Sequence, residues 1–190
     1  TPKVLDLGYS FLSSLQVIEV AQPSMERLVD EVHESSSMSV LDGSEIVYVA
    51  RVPTTRIMTI ALALGSRLPA YPTSMGRVLL SGMSDDELDD YIARTSFEEL
   101  TPHTVTDPRR FRSIVMKVRA EGFALVDQEL EEGVRSIAAP IRNRRGEMIA
   151  AMNVSCHASR VSVDRMLTEL KPYLLDAATE INDRVRTLPS

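Results

Sequence analysis

An α+β fold, an antiparallel sheet covered by helices, is what the sequence predicts, on three observations. Segments with apolar residues at helical spacing stand at both ends of the chain. Between them lie short β-rich stretches bounded by turn residues. Two of these stretches meet at Asp42-Gly43 and two more at the polar Arg142 to Gly146 segment, and links this short join antiparallel neighbours. With 190 residues, 44% of them hydrophobic, the chain can bury one sizeable core, and a single domain is the default expectation.

The elements follow in order. Val4, Leu7, Phe11 and Leu15, widened by Leu5 and Leu12, form one apolar stripe, which predicts a first helix that packs on the domain or on a second subunit. Pro23 opens a second helix, with Met25, Leu28, Val29 and Val32 on its buried face. Met38 and Val40 alternate into the Asp42-Gly43 turn, and Ile46 to Arg51 returns as a strand. Ile57 to Leu64 reads as another short strand. Pro72 and Thr73 lead into a helix that holds Gly76 and Val78 to Leu80. Ser84-Asp85-Asp86-Glu87 is a capping box for the next helix. Asp107 and Pro108 start another, with Phe111, Val115 and Val118 inward and Gly122 at its end. Phe123 to Val126, Ser136 to Ile141 and Glu147 to Ser155 read as strands, the last two antiparallel. A final helix starts near Ser162, and Pro172 should kink it.

Composition narrows the function. A formal net charge of −6 argues against this piece gripping nucleic acid by itself. A single cysteine, Cys156, allows no intrachain disulfide and suits a reducing cytoplasm. No apolar run approaches a membrane span, and no leader pattern opens the chain, so no membrane partner is expected. Neither a Gly-x-Ser-x-Gly elbow, a phosphate loop, a dinucleotide fingerprint nor a His-Glu-x-x-His helix occurs. His33, His103 and His157 have no metal-ligand spacing, and no metal or cofactor is expected. Cys156 and His157 are strand neighbours that point to opposite faces, so they cannot share a proton, and the thiol reads as inert and buried. Asp127, Glu129, Glu131 and Glu132 are carboxylates fit for acid–base work, for a solvated loop, or, for Glu129, for ordering a loop that lines a pocket.

One segment carries more chemistry. Gly65 to Leu80 reads Gly-Ser-Arg-Leu-Pro-Ala-Tyr-Pro-Thr-Ser-Met-Gly-Arg-Val-Leu-Leu, a tight backbone stretch running into a helix N-terminus. The free N–H groups around Ser74, Met75 and Gly76 can hold a carboxylate without a charged side chain. Ser136 lies early in one expected strand, and Asn153 and Ser155 share a face of its neighbour. These residues converge on a small-molecule pocket, or they satisfy local hydrogen bonds of the sheet.

The Gly65 to Leu80 segment resembles the effector-binding domain of IclR-type bacterial transcription regulators. So does Gly122 to Gly146, with Gly-Phe, the acidic stretch ending at Glu129, Gly133, Ser136, Ile137-Ala138-Ala139-Pro140 and a turn with Gly. The opening Thr-Pro-Lys-Val-Leu-Asp-Leu-Gly is similar to the stretch by which this family leaves its winged-helix DNA-binding domain. Leu125 to Gly133 and Met152 to Ser155 resemble the subgroup controlling protocatechuate and β-ketoadipate catabolism. The resemblance implies a GAF-like sheet, with residues 1–15 as a linker and dimerisation helix and 16–190 as the effector-binding domain. It implies that Ile60, Leu68 and Val134 join Ser136 in lining the pocket. Val126 departs from members that carry an acidic residue there.

The expected function is therefore effector sensing without catalysis. An aromatic or dicarboxylic acid would be held by Ser74, Met75, Gly76, Ser136, Asn153, Ser155, Ile60, Leu68 and Val134. DNA would be bound only through an absent N-terminal domain, in a homodimer or homotetramer. The alternative is a small cofactor-independent hydrolase or isomerase of carboxylic acids that uses the acidic loop.

Overall fold

The computed structural model describes residues 2–54 and 62–188, with side chains of the first helix described from Gln16 onward. The stripe Val4, Leu7, Phe11 and Leu15 lies outside the described side chains, and most of the expected strand at Ile57 to Leu64 lies outside the described residues. Six strands form one antiparallel sheet: β1 (Ser35–Asp42), β2 (Glu45–Val52), β3 (Arg67–Pro69), β4 (Ala124–Asp127), β5 (Val134–Arg142) and β6 (Met148–His157), in the order β3-β2-β1-β6-β5-β4. The expected α+β architecture is met, and the two short links join β1 to β2 and β5 to β6 as read from the sequence.

Alternation along the strands splits the apolar residues between two faces. Met38, Ile137, Ala139, Met152 and Val154 pack against α1 (Pro2–Val32) and α6 (Lys171–Arg186). Ile46, Tyr48, Ala138 and Ala151 pack on the other face, under α2 (Ser74–Ser81) and α4 (Pro108–Glu121), with α3 (Asp85–Arg94) beside them.

Local chemistry sets the helix ends. Ser84 and Glu87 form the reciprocal capping box of α3. Asp107 caps α4 by accepting the Arg110 N–H at 2.7 Å, and Gly122 ends that helix at φ 77°. Ser162 caps the single turn α5 (Val163–Arg165).

Three expectations change. Pro23 does not open a second helix, because α1 runs through it from Pro2 to Val32. Proline costs a helix one hydrogen bond and a clash with the previous turn. Here Ala21, Met25 and Leu28 are buried on both sides of it and anchor the continuous helix. Pro172 yields a π turn, Met166–Leu170, just ahead of α6. Lys171 donates its N–H five residues back, to the Met166 carbonyl, which takes up the residue that the proline ring would otherwise drive into the preceding turn. Residues 62–66 are irregular, and the edge strand is β3, inside the stretch read as plain lead-in to α2.

Gly76 sits in the first turn of α2, against the Ala70 carbonyl. A Cβ built there would lie 2.0 Å from that oxygen, a backbone atom that cannot rotate away. Gly76→Ala should therefore cost about 2–3 kcal/mol or prevent folding. Chemical denaturation measures this, and an unchanged midpoint would show that the turn yields freely.

Candidate functional site

Thr73 begins the site. Its backbone is extended (φ −115°, ψ 145°), its hydroxyl accepts the Gly76 N–H at 3.1 Å and its carbonyl accepts the Arg77 N–H at 3.1 Å. The cap consumes two donors and leaves those of Ser74 and Met75. Gly76 therefore serves the turn by its missing side chain, and its N–H is not open to an anion as expected.

Beneath this turn lies a cavity between α2 and the sheet. Its floor is a patch of small polar side chains: Ser35 and Ser37 from β1, Asn153 and Ser155 from β6, and Ser136 from β5. Val126, Leu130 and Val134 wall one side; Tyr48, Arg51 and Leu62 wall the other, and Pro72, Thr73, Ser74 and Met75 form the roof. The space is narrow. Its volume is about 40 Å³.

The floor is tied together from strand to strand. The Ser37 backbone N–H donates to Asn153 Oδ1 at 3.0 Å, Asn153 Nδ2 donates to Ser136 Oγ at 3.0 Å, and Ser136 Oγ shares a hydrogen bond with Ser74 Oγ at 2.6 Å. Met75 accepts the Ser39 hydroxyl on its sulfur at 3.4 Å. Ser74, Met75, Val134, Ser136, Asn153 and Ser155 are thus brought together as expected. Leu68 is not: it lies on β3 and packs against the core around Ile46 and Tyr48. Ile60 lies outside the described residues. Both readings of the polar patch hold for different members. Asn153 and Ser136 have protein partners, whereas among the described residues no protein group pairs with the Ser155 or Ser37 hydroxyl.

Of the three readings of the acidic stretch, the geometry fits the one in which Glu129 orders a loop that lines a pocket, rather than a solvated loop. Glu129 is buried and grips Arg77 of α2 through two hydrogen bonds, Nη1 to Oε1 at 2.7 Å and Nη2 to Oε2 at 2.6 Å. Glu129 Oε2 also accepts the Val105 N–H at 2.9 Å. Arg77 Nε donates to the Tyr71 carbonyl at 3.0 Å, and its guanidinium lies 5.7 Å from the centre of the Phe111 ring. Around it, the Thr101 and Thr104 hydroxyls donate to the Gln128 and Glu129 carbonyls at 2.7 and 2.6 Å. Gln128 takes a left-handed backbone (φ 60°), and its Oε1 accepts the Gly133 N–H at 3.0 Å. Every bond serves to fix the loop that carries Leu130 and Val134. Asp127 pairs with Arg135, and Glu132 is exposed. No free acid–base pair emerges here.

Cys156 and His157 face opposite ways, as the strand requires. The thiol is buried under α1 and α6, and the His157 ring bonds to Ser159 at 2.7 Å. Burial, with Glu34 nearby, pushes the Cys156 thiol up to about 12, against the pull of Arg135 and Arg160. Burial also pushes the Tyr48 hydroxyl up to about 12, opposed by the charge of Arg51. Among the described residues no group of three or more His, Cys, Asp or Glu could hold a metal ion.

Sequence reasoning missed Arg51, Tyr48, Ser35 and Ser37. The serines had a visible signal: Ser35, Ser37 and Ser39 alternate through a strand whose neighbours are buried.

Comparison with known proteins decides what kind of domain this is. Residues 9–183 match the family model described as bacterial transcriptional regulator IclR C-terminal. The chain belongs to that family. The Pca regulon regulatory protein of Pseudomonas putida is 43% identical over 181 residues, which are 95% of this chain and 62% of that protein. The chain therefore spans less than two thirds of that relative. A transcriptional regulator from Rhodococcus sp. RHA1 has a crystal structure that superposes with a TM-score of 0.88 at 52% identity, covering 97% of this chain and 76% of that one. The inducer-binding domain of the transcription factor PobR from Acinetobacter, a double mutant in complex with 3-hydroxybenzoic acid, gives a TM-score of 0.83 at 34% identity, covering 88% and 98%. These relatives carry the names of regulators, and the hydrolase or isomerase alternative has no support. As an IclR C-terminal domain, the chain is an effector-binding domain of a transcription regulator. Among its described residues no helix is long and apolar enough to cross a membrane.

Two outcomes follow from this geometry. Glu129→Gln should cost about 3–5 kcal/mol by leaving the Arg77 charge buried and unanswered. The double variant Arg77→Leu, Glu129→Leu should recover much of that loss. Urea unfolding of both variants checks this, and equal loss in the two would show that the loop needs the pair's hydrogen bonds rather than its charge balance. Cys156 should resist iodoacetamide at pH 8 in the folded protein and react readily in urea. Mass spectrometry of the alkylated protein reads both, and fast labelling of the folded state would contradict the burial.

Proposed function

We propose that the cavity under α2 binds a small aromatic carboxylic acid and that its occupancy regulates DNA binding by a domain attached ahead of this one. The observation that carries the reading is the lining itself. Among the described residues, hydroxyls of Ser37 and Ser155 without a protein partner and the Arg51 side chain border the cavity between apolar walls, and no carboxylate side chain does. Apolar walls with a few convergent polar groups are the usual design of a small-molecule site, and the absence of an acid favours an anionic guest. The crystal structure of the PobR domain with 3-hydroxybenzoic acid supports the aromatic class. The name of the Pseudomonas putida relative supports catabolites of the protocatechuate branch.

The narrow space fits a sensor. The open space is small beside a six-membered ring, and Leu62, Met75 and Leu130, all unbranched at Cβ, are lining side chains able to give way. Binding energy is then coupled to the placement of α2 and the loop from Gln128 to Gly133, and a ligand that prefers one arrangement shifts the population toward it. The natural setting is a cytoplasmic homodimer or homotetramer whose first helix leads to the DNA-binding part.

Calorimetry with protocatechuate, 4-hydroxybenzoate and β-ketoadipate tests the reading. An aromatic acid should bind, and Ser155→Ala should weaken it about two- to twelvefold, the worth of one hydrogen bond of about 0.5–1.5 kcal/mol. Because that hydroxyl has no protein partner among the described residues, the melting temperature without ligand should stay the same. Ser136→Ala should weaken binding and also lower the melting temperature, since it breaks the bond to Ser74. No binding of any of the three acids would remove the proposed ligand class. Tight binding untouched by Ser155→Ala and Ser136→Ala would move the site elsewhere.

A further inference from the structure

Tyr48 and Arg51 stand three residues apart on β2. In a regular strand, residues an odd number apart point to opposite faces, yet both border the cavity. The cause is a bulge. Pairing of β1 with β2 runs Asp42 with Glu45, Leu41 with Ile46, Val40 with Val47 and Ser39 with Tyr48, then skips to Met38 with Ala50 and Ser37 with Arg51. Val49 is the extra residue. Before it, Ile46 and Tyr48 lie on the α2 face; after it, Ala50 and Val52 turn to the α1 and α6 face. Arg51 is thereby carried back to the cavity side, opposite Ser37. Bulges re-aim side chains in this way and are common beside functional sites.

The surroundings of Arg51 add a second observation. It is half-buried, and among the described residues no carboxylate pairs with it and no hydrogen bond holds it, whereas the other half-buried arginines described, Arg112, Arg142 and Arg184, donate to Asp89, the Gly146 carbonyl and Glu180. Its charge acts on the Tyr48 hydroxyl. Among the described residues the cavity is lined by no other charged side chain. Across the sheet the row reads Arg51, Ser37, Asn153, so Arg51 and the Asn153–Ser136 cluster stand two strand spacings apart, about 10 Å at the backbone.

We propose that Arg51 is the residue that pairs with the ligand's carboxylate, and that the ligand lies across Ser37 with its ring hydroxyl at the Asn153, Ser136 and Ser155 end. This rests on the proposed function and fixes the direction of the ligand within that site. It also replaces the helix N-terminus as the anion's seat. The capping of α2 spends the donors of Gly76 and Arg77, and the Ser74 hydroxyl is engaged with Ser136. A guanidinium offers two parallel donors to a carboxylate together with its charge.

The test compares charged and neutral probes of one shape, 4-hydroxybenzoate and 4-hydroxybenzamide, by calorimetry at two salt concentrations. Arg51→Gln should lower benzoate affinity at least tenfold and remove most of its salt dependence, with benzamide affinity within twofold of the unmutated protein. Arg51→Lys should restore part of the benzoate affinity. If Arg51→Gln leaves benzoate binding within twofold, the carboxylate sits elsewhere, the first turn of α2 foremost, and the proposal is wrong while the site stands. Equal losses for benzoate and benzamide would make Arg51 a merely structural residue and also overturn it. If the unmutated protein binds neither probe, the reading of the cavity as an aromatic-acid site falls, and this proposal falls with it.

Discussion

The ion pair of Arg77 and Glu129 joins two parts of the chain that lie 52 positions apart. Arg77 lies in α2, where all eight residues are buried, and Glu129 lies in the loop between β4 and β5. A buried guanidinium is tolerable only when its donors are answered. Here Glu129 answers with both oxygens, the Tyr71 carbonyl takes Nε, and the Phe111 ring covers the plane. Once that arginine is inside, the position of the loop is no longer free.

The consequences run outward to the cavity. Arg77 is one turn from Ser74 and Met75, so the pair that sets α2 also sets the roof. Glu129 is next to Leu130 and five residues from Val134, so the same pair sets one wall. Gly76 lets α2 come down onto the Ala70 carbonyl, and the Ser74–Ser136 hydroxyl bond then closes the helix onto the sheet. Stability and site geometry are therefore the same interactions seen from two sides. A ligand that moves Met75 or Leu130 works against a rigid pair, which converts a small displacement of side chains into a displacement of a whole helix or loop.

Local signals were the legible part of the sequence. Ser84 with Glu87, Asp107 with Pro108, Gly122, Ser162 and Asp42-Gly43 each act within four residues, and each marks the end or turn it was read to mark. The polar cluster of Ser136, Asn153 and Ser155 was legible because strand alternation is a two-residue rule. What was not legible depends on partners far away in sequence. Pro23 stays within α1 because burial on both sides outweighs one lost hydrogen bond. Glu129 could be read as ordering a loop, but the arginine it pairs with, 52 positions away, could not. Leu68 fell at a pocket position by resemblance, yet β3 pairs it with Ile46 and turns it into the core.

Arg51 shows the limit most sharply. Period-two reasoning from the buried Tyr48 puts it on the wrong face, and the extra residue that corrects the phase, Val49, looks like any other strand valine. Only the pairing with β1 reveals it. After the bulge Ala50 and Val52 pack under α1 and α6 while Arg51 turns to the cavity, so one inserted residue lets a packing strand deliver charge. The cavity's polar groups are then of two kinds. Asn153, Ser136 and Ser74 are bound to each other and to the Ser37 backbone, which makes them a rigid template. Arg51, Ser37 Oγ and Ser155 Oγ have no protein partner among the described residues. Groups locked by neighbours define shape, and groups left open gain most from a guest, because a ligand replaces water there without breaking a bond the fold needs.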